Sequence, residues 1–126
     1  MGDFVAIASF GYPFYRNILG ALGCKMASIP INEEFKLAAT ELRHEIARGR
    51  DAREGLVLSS PRNPMGSMLN PDKLKEFCEL CEAENIQSLS DEIYHGISYG
   101  TEEATARQLS SKALIINSFS KYYSST

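Results

Sequence analysis

The stretch Ala113-Leu114-Ile115-Ile116-Asn117-Ser118-Phe119-Ser120-Lys121 sets an apolar run against a hydroxyl-rich turn that carries a lysine. Consecutive apolar residues bounded by polar ones predict a short buried strand. A lysine just past such a strand stands where burial can disfavour its ammonium form. Once it has shed its proton, it is a nucleophile toward a carbonyl carbon. An isolated lysine in a loop would be solvated and unremarked, so the weight of the reading rests on what the rest of the chain brings to the same place.

Further toward the N-terminus, the same unit recurs. Ile86 to Ser90 reads as a strand that runs into Asp91-Glu92-Ile93-Tyr94-His95-Gly96. Leu56-Val57-Leu58 reads as another and runs into Ser59-Ser60-Pro61-Arg62-Asn63-Pro64-Met65-Gly66, where two prolines and a glycine forbid a regular helix or ladder. Phe4-Val5-Ala6-Ile7-Ala8 reads as a strand ending at Ser9 and followed by Gly11-Tyr12-Pro13, and Cys24 to Ile31 reads as a further, more interrupted one. Helical patterns fall between them. Tyr15, Ile18, Leu19 and Leu22 share one apolar face that Gly23 ends. Thr40 caps a helix carrying Leu42 and Ile46. Asn70 caps and Pro71 starts a helix to about Asn85, with Leu74, Phe77, Cys78 and Cys81 on one face. A short helix is expected over Glu103 to Leu109.

Strands alternating with helical crossovers predict an α/β fold with a mainly parallel sheet of five strands, ending near Ser9, Ile31, Ser59, Ser90 and Ser118. Such sheets bind ligands at the carboxyl ends of their strands. One edge is therefore expected to gather Tyr12, Asn63, Asp91, Tyr94, Ser118 and Lys121, a set that suits a flat, charged, heteroaromatic aldehyde better than a nucleotide. Lys121 is expected to be the primary amine of that edge, since Lys112 precedes the last strand at its opposite end.

Composition narrows the alternatives. The 126 residues suit one domain, and a net charge of −3 gives no reason to expect a nucleic-acid or anionic-membrane surface. No apolar run approaches the roughly 18–20 residues of a membrane span. Three cysteines do not suggest a disulfide framework, and a reducing, cytoplasmic setting is the simpler reading. Cys78 and Cys81 have metal-ligand or redox spacing but fall on an apolar helix face with no second ligand pair, which favours packing and no metal. Cys24 is expected in the core and His44 on a surface helix, and His95 has no assigned role. The mixed-charge segment Glu41 to Glu54 balances four arginines against four acids and reads as a solvated face and loop.

Ser60-Pro61-x-Asn63-Pro64-x-Gly66, Ser90-Asp91-Glu92-Ile93-Tyr94 and Ser118-Phe119-Ser120-Lys121 resemble, in this order, the central signatures of class I/II aminotransferases, which are fold-type-I enzymes using pyridoxal 5′-phosphate. The resemblance covers essentially the whole chain. It implies that Lys121 forms a Schiff base with the cofactor and that Asp91 pairs with the pyridine nitrogen. It further implies that Tyr94 and Asn63 bind the phenolic oxygen, Ser118 contacts the phosphate, and Tyr12 stacks on the ring. The substrates it implies are an amino acid and a 2-oxo acid, handled by a homodimer. Met65 stands where the family usually has Thr, and Ser88 where an aliphatic residue is more usual.

The resemblance also implies segments that this span does not contain: a glycine-containing phosphate loop upstream, a Gly-x-Arg motif downstream, and a small domain. Residues 1–126 thus read as an incomplete, cofactor-binding large domain. Apolar faces left uncovered and weak cofactor binding by the span alone are the expectations. Two readings stay open beside transamination: elimination chemistry like that of 1-aminocyclopropane-1-carboxylate synthases, and a non-catalytic α/β remnant or interaction module.

Overall fold

The structure, a computed structural model, describes residues 3–34, 36–48 and 54–124. Among them, five strands form one sheet: β1 (Phe4–Ala8), β2 (Lys25–Ile29), β3 (Gly55–Ser59), β4 (Gln87–Asp91) and β5 (Leu114–Ile116). Their order is β2-β1-β3-β4-β5, and every neighbouring pair is parallel. The expected strand ends hold to within two residues. Helices α1 (Phe14–Ala21), α2 (Ala39–Ala47), α3 (Pro71–Ala83) and α4 (Ala106–Leu109) make the crossovers, and the single turn α5 (Phe119–Tyr122) follows β5. The chain passes from β1 outward to β2, then jumps back across to β3 and continues the other way. This puts a topological switch point between β1 and β3.

The core lies between one face of the sheet and α2, α3 and α4. Ala6, Ile29, Leu56 and Leu58 from the strands meet Leu42, Leu74, Phe77 and Cys81 from the helices. Helix α3 begins as its sequence dictates: the Asn70 side chain accepts from the Lys73 N–H at 2.8 Å, and Pro71 occupies the first turn. Helix α2 departs from expectation. It starts at Ala39 behind an extended Ala38, so Thr40 lies inside the helix and does not cap it. Tertiary packing overrides the capping preference there, because Leu37 and Ala39 are both buried and Leu37 is bridged to Ile31.

The opposite face of the sheet is only partly covered. Helix α1 has no buried residue, and Ile18 and Leu22 of its apolar stripe are 53% and 72% exposed. Leu114 and Ile116 of β5 are exposed as well. Parallel sheets are normally covered on both faces, so the uncovered apolar surface expected from the sequence is present. Gly23, at φ +74°, ends α1 in the left-handed conformation, and its N–H reaches the Gly20 carbonyl at 3.0 Å.

Cys78 and Cys81 are buried in the core, as their spacing on the apolar face led us to expect, whereas Cys24 is only half-buried. Burial pushes the Cys78 thiol up to about 11 and the Cys81 thiol up to about 12, with neighbouring Glu82 adding to both. Native protein at pH 8 is therefore expected to give up Cys24 alone to a thiol reagent, and all three cysteines only after denaturation. Rapid native labelling of Cys78 or Cys81 would contradict the packing described. His44 is exposed as expected. The loop reading of 48–54 falls largely on residues 49–53, outside the described residues. No helix among the described residues is long and apolar enough to cross a membrane.

Candidate active site

Because all five strands run the same way, the segments leaving β1, β3, β4 and β5 emerge at one edge of the sheet. Asp91 and Lys121 are therefore at the same edge. The ladder is continued past the strand ends by Ser60 N–H to Asp91 C=O at 3.2 Å and Glu92 N–H to Ile116 C=O at 2.8 Å. These two bonds tie the Asn63 loop, the Asp91 turn and the Lys121 segment together.

Asp91 closes β4 and is 9% exposed. The Tyr15 hydroxyl donates to its Oδ2, and the Ile93 N–H donates to its Oδ1 at 3.1 Å. Burial raises the Tyr15 phenol well above its ordinary range, and the hydrogen bond to Asp91 raises it further. The phenol thus keeps its proton and donates a hydrogen bond to the Asp91 carboxylate. Tyr15 was read from the sequence only as part of an apolar stripe. Its position three residues after Tyr12, on the helix leaving β1, was the available signal that it shares the edge.

Asn63 and Tyr94 also come together: Asn63 Nδ2 donates to the Tyr94 hydroxyl at 3.2 Å. The Asn63 loop is fixed by its own backbone, with Arg62 N–H to Ser67 C=O at 3.0 Å and Gly66 N–H to Arg62 C=O at 2.7 Å. Ser60 Oγ holds the far side of the loop by accepting from Leu69 N–H at 2.9 Å. The Arg62 side chain is 5% exposed, and burial pushes its guanidinium down from its ordinary range. It lines a cavity of about 30 Å³ at the switch point together with Tyr12, Tyr15 and Ser59.

Tyr12 is 39% exposed, stacked on Phe14 at 5.2 Å and edge-on to Tyr15 at 5.9 Å. Ser118 caps α5: its Oγ accepts from Ser120 N–H at 3.3 Å and lies 2.7 Å from Ser120 Oγ. Lys121 sits on this single turn and is exposed. The burial that the sequence reading invoked to strip its proton is therefore not present here. The cause is local: β5 is the edge strand, and its outer side is uncovered among the described residues.

Two further corrections concern neighbouring groups. Lys36 and Lys73 line a cavity of about 890 Å³ with Asn63, Asn70, Tyr94 and Tyr99, so Lys121 is not the only amine on this side of the sheet. Both are paired, Lys36 with Glu34 at 2.7 Å and Lys73 with Glu76 at 3.0 Å. Glu92, read only as a motif letter, is 2% exposed and organises the next segment. Its Oε1 accepts from Ser90 Oγ at 3.0 Å and from Ala106 N–H at 2.8 Å, and its Oε2 lies 3.5 Å from His95 Nδ1.

With this geometry in place, comparison with known proteins decides the family. The profile "Aminotransferase class I and II" matches residues 1–126. The chain belongs to the class I and II aminotransferases. Among curated members of the family, the valine–pyruvate aminotransferase of Mycobacterium tuberculosis is 41% identical over 99% of this chain and 32% of its own length. The arginine–pyruvate transaminase of Pseudomonas aeruginosa is 29% identical with the same coverages. A crystal structure of an aminotransferase from Mycobacterium tuberculosis superimposes with a TM-score of 0.91 at 41% identity, covering 98% of this chain and 32% of that one. The aromatic aminotransferase of Pyrococcus horikoshii gives 0.90 at 26% identity, over 99% and 34%. The chain thus spans about a third of the length of the aminotransferases it matches. The five-stranded parallel sheet is that of the fold-type-I large domain, and class I and II aminotransferases depend on pyridoxal 5′-phosphate.

Proposed function

We propose that this chain forms the pyridoxal 5′-phosphate-binding part of an aminotransferase that moves an amino group from an amino acid to a 2-oxo acid. The observation that carries the proposal is the convergence, at one sheet edge, of a preoriented carboxylate, an amide–phenol pair and a lysine-bearing turn. The donor set fits the cofactor. A buried carboxylate with both oxygens already held suits a protonated pyridine nitrogen. The Tyr94 oxygen accepts from Asn63, which leaves its own O–H free to donate to a phenolate.

Bound there, pyridoxal 5′-phosphate supplies an aldehyde that captures amines and a pyridine ring that withdraws electrons from the substrate α-carbon. The protein's part is placement and proton control. Asp91 would hold the proton on the pyridine nitrogen, and Tyr15 would fix the carboxylate that does so. Asn63 and Tyr94 would bind the phenolic oxygen, Ser118 a phosphate oxygen, and the Tyr12 ring one face of the pyridine. Lys121, displaced by the incoming substrate amine, would take a proton from the α-carbon and return it elsewhere. We further propose that residues 1–126 are part of a cofactor-binding large domain, that the full-length protein works as a homodimer, and that it acts in the cytoplasm.

The test is nitrogen transfer. The intact protein, given pyridoxal 5′-phosphate, pyruvate and a panel of 15N-labelled amino acids, is expected to deliver 15N to alanine from at least one donor. Loss of the donor's α-hydrogen with no label in alanine would point to elimination chemistry and overturn the transferase reading.

A further inference from the structure

We propose that Gly96 is a positioning residue for Lys121: its bare Cα is the seat on which the Tyr122 ring rests, and that contact fixes the short turn carrying the lysine. A methyl group at position 96 would lie 2.6 Å from both Cδ2 and Cε2 of Tyr122, closer than carbon atoms approach. Position 96 also has φ +86°, a backbone conformation that side chains resist.

The seat is itself anchored. The Gly96 N–H donates to Glu103 at 2.9 Å and 3.1 Å to its two oxygens, and the Ser98 hydroxyl donates to the same carboxylate. Upstream, the His95 N–H closes the turn onto the Glu92 carbonyl at 2.9 Å, and the buried Glu92 side chain reaches across to the start of α4. The turn that leaves Asp91 is therefore held on both sides, and it offers the Tyr122 ring a fixed floor.

On the other side of the contact, α5 is a single turn with no buried residue of its own. Its aromatic side chains pack in series, Tyr122 on Tyr123 at 4.8 Å and Tyr123 on Phe119 at 5.8 Å. A four-residue helix has too few internal bonds to hold a direction alone. The ring on Gly96 thus adds a side-chain contact between the segment bearing Asp91 and the segment bearing Lys121, beyond the β4–β5 ladder and the Glu92 N–H to Ile116 C=O bond that extends it. Tyr122 follows Lys121 directly, so moving the ring off its seat moves the lysine Cα relative to Asp91.

This inference rests on the reading of Lys121 as the residue that links the cofactor. In that step the deprotonated Nζ bonds to the aldehyde carbon, and the aldehyde oxygen leaves as water with the two amine protons. The experiment compares the intact protein with Gly96→Ala, Tyr122→Ala, the double variant and Tyr122→Phe. The rate of attachment at Lys121 is read by borohydride trapping and peptide mass. Affinity for pyridoxine 5′-phosphate, which has no aldehyde, is measured alongside. Gly96→Ala and Tyr122→Ala are each expected to slow attachment by roughly 10- to 100-fold, and the double variant to be no slower than the worse single. Tyr122→Phe keeps the ring and should match wild type, and affinity for pyridoxine 5′-phosphate should hold in all forms. Wild-type rates in both Gly96→Ala and Tyr122→Ala, or strictly additive losses in the double variant, would overturn the inference. Should Gly96→Ala not fold, Tyr122→Ala against Tyr122→Phe decides it. Absence of trapping at Lys121 in the wild type would instead refute the assignment of the lysine.

Discussion

Replacing Lys121 by alanine is expected to remove the visible band of lysine-linked pyridoxal 5′-phosphate from the intact protein and to lower turnover by more than roughly 10⁴-fold. On the proposed assignment this variant would lose two functions at once, the covalent anchor and the base that moves the α-proton. Arginine at 121 should do no better, because a guanidinium stays protonated and cannot add to an aldehyde. The structure sharpens the expectation by naming the competing amines. Lys36 and Lys73 line the large cavity beside Asn63 and Tyr94, but each already faces a carboxylate. Lys25 and Lys112 lie at or before the starts of their strands, at the opposite edge of the sheet. A band of undiminished intensity in Lys121→Ala, measured by absorbance after gel filtration, would mean that one of the first two has the role.

Asp91→Ala is expected to leave the band in place while turnover falls by roughly 10²- to 10³-fold. In the proposed site the carboxylate would not tether the cofactor; it would keep the pyridine nitrogen protonated so that the ring could withdraw electrons. Asp91→Asn separates charge from shape. The amide oxygen can still accept from the Ile93 N–H, and the amide nitrogen can donate to the Tyr15 oxygen where the carboxylate accepts from it, but the amide has no charge to hold a proton on nitrogen. Equal losses in the two variants, read as kcat with the band intact, would assign the effect to charge. A large loss in Asp91→Ala with little in Asp91→Asn would assign it to packing of the Tyr15 hydroxyl.

The fold was largely legible in the sequence because parallel strands with helical crossovers write themselves as short apolar runs bounded by turn residues. Asn70-Pro71 marked its helix start correctly, since an N-cap side chain followed by proline is a local signal with a local cause. Thr40 misled because the start of α2 is set by the burial of Leu37 and Ala39, a tertiary fact that no local pattern records. At the site, the convergence of Tyr12, Asn63, Asp91, Tyr94, Ser118 and Lys121 on one edge followed from topology. The supporting residues did not. Tyr15 was counted as apolar although its hydroxyl meets Asp91, and Glu92 gave no hint that it is buried and holds the start of α4. Gly96 looked like an ordinary turn glycine, since the ring above it comes from 26 residues further along the chain. Contacts distant in sequence carry no local signature. The exposure of Lys121 was also invisible, because no local pattern gives the strand order that puts β5 at the edge of the sheet.

One measurement bears most directly on the claim that this edge is a cofactor site. The intact protein, incubated with pyridoxal 5′-phosphate, reduced with borohydride and digested, should yield a single phosphopyridoxyl-modified peptide, with the mass increment on Lys121. Modification at Lys36 or Lys73 in its place, or an unmodified Lys121 peptide at saturating cofactor, would contradict the account.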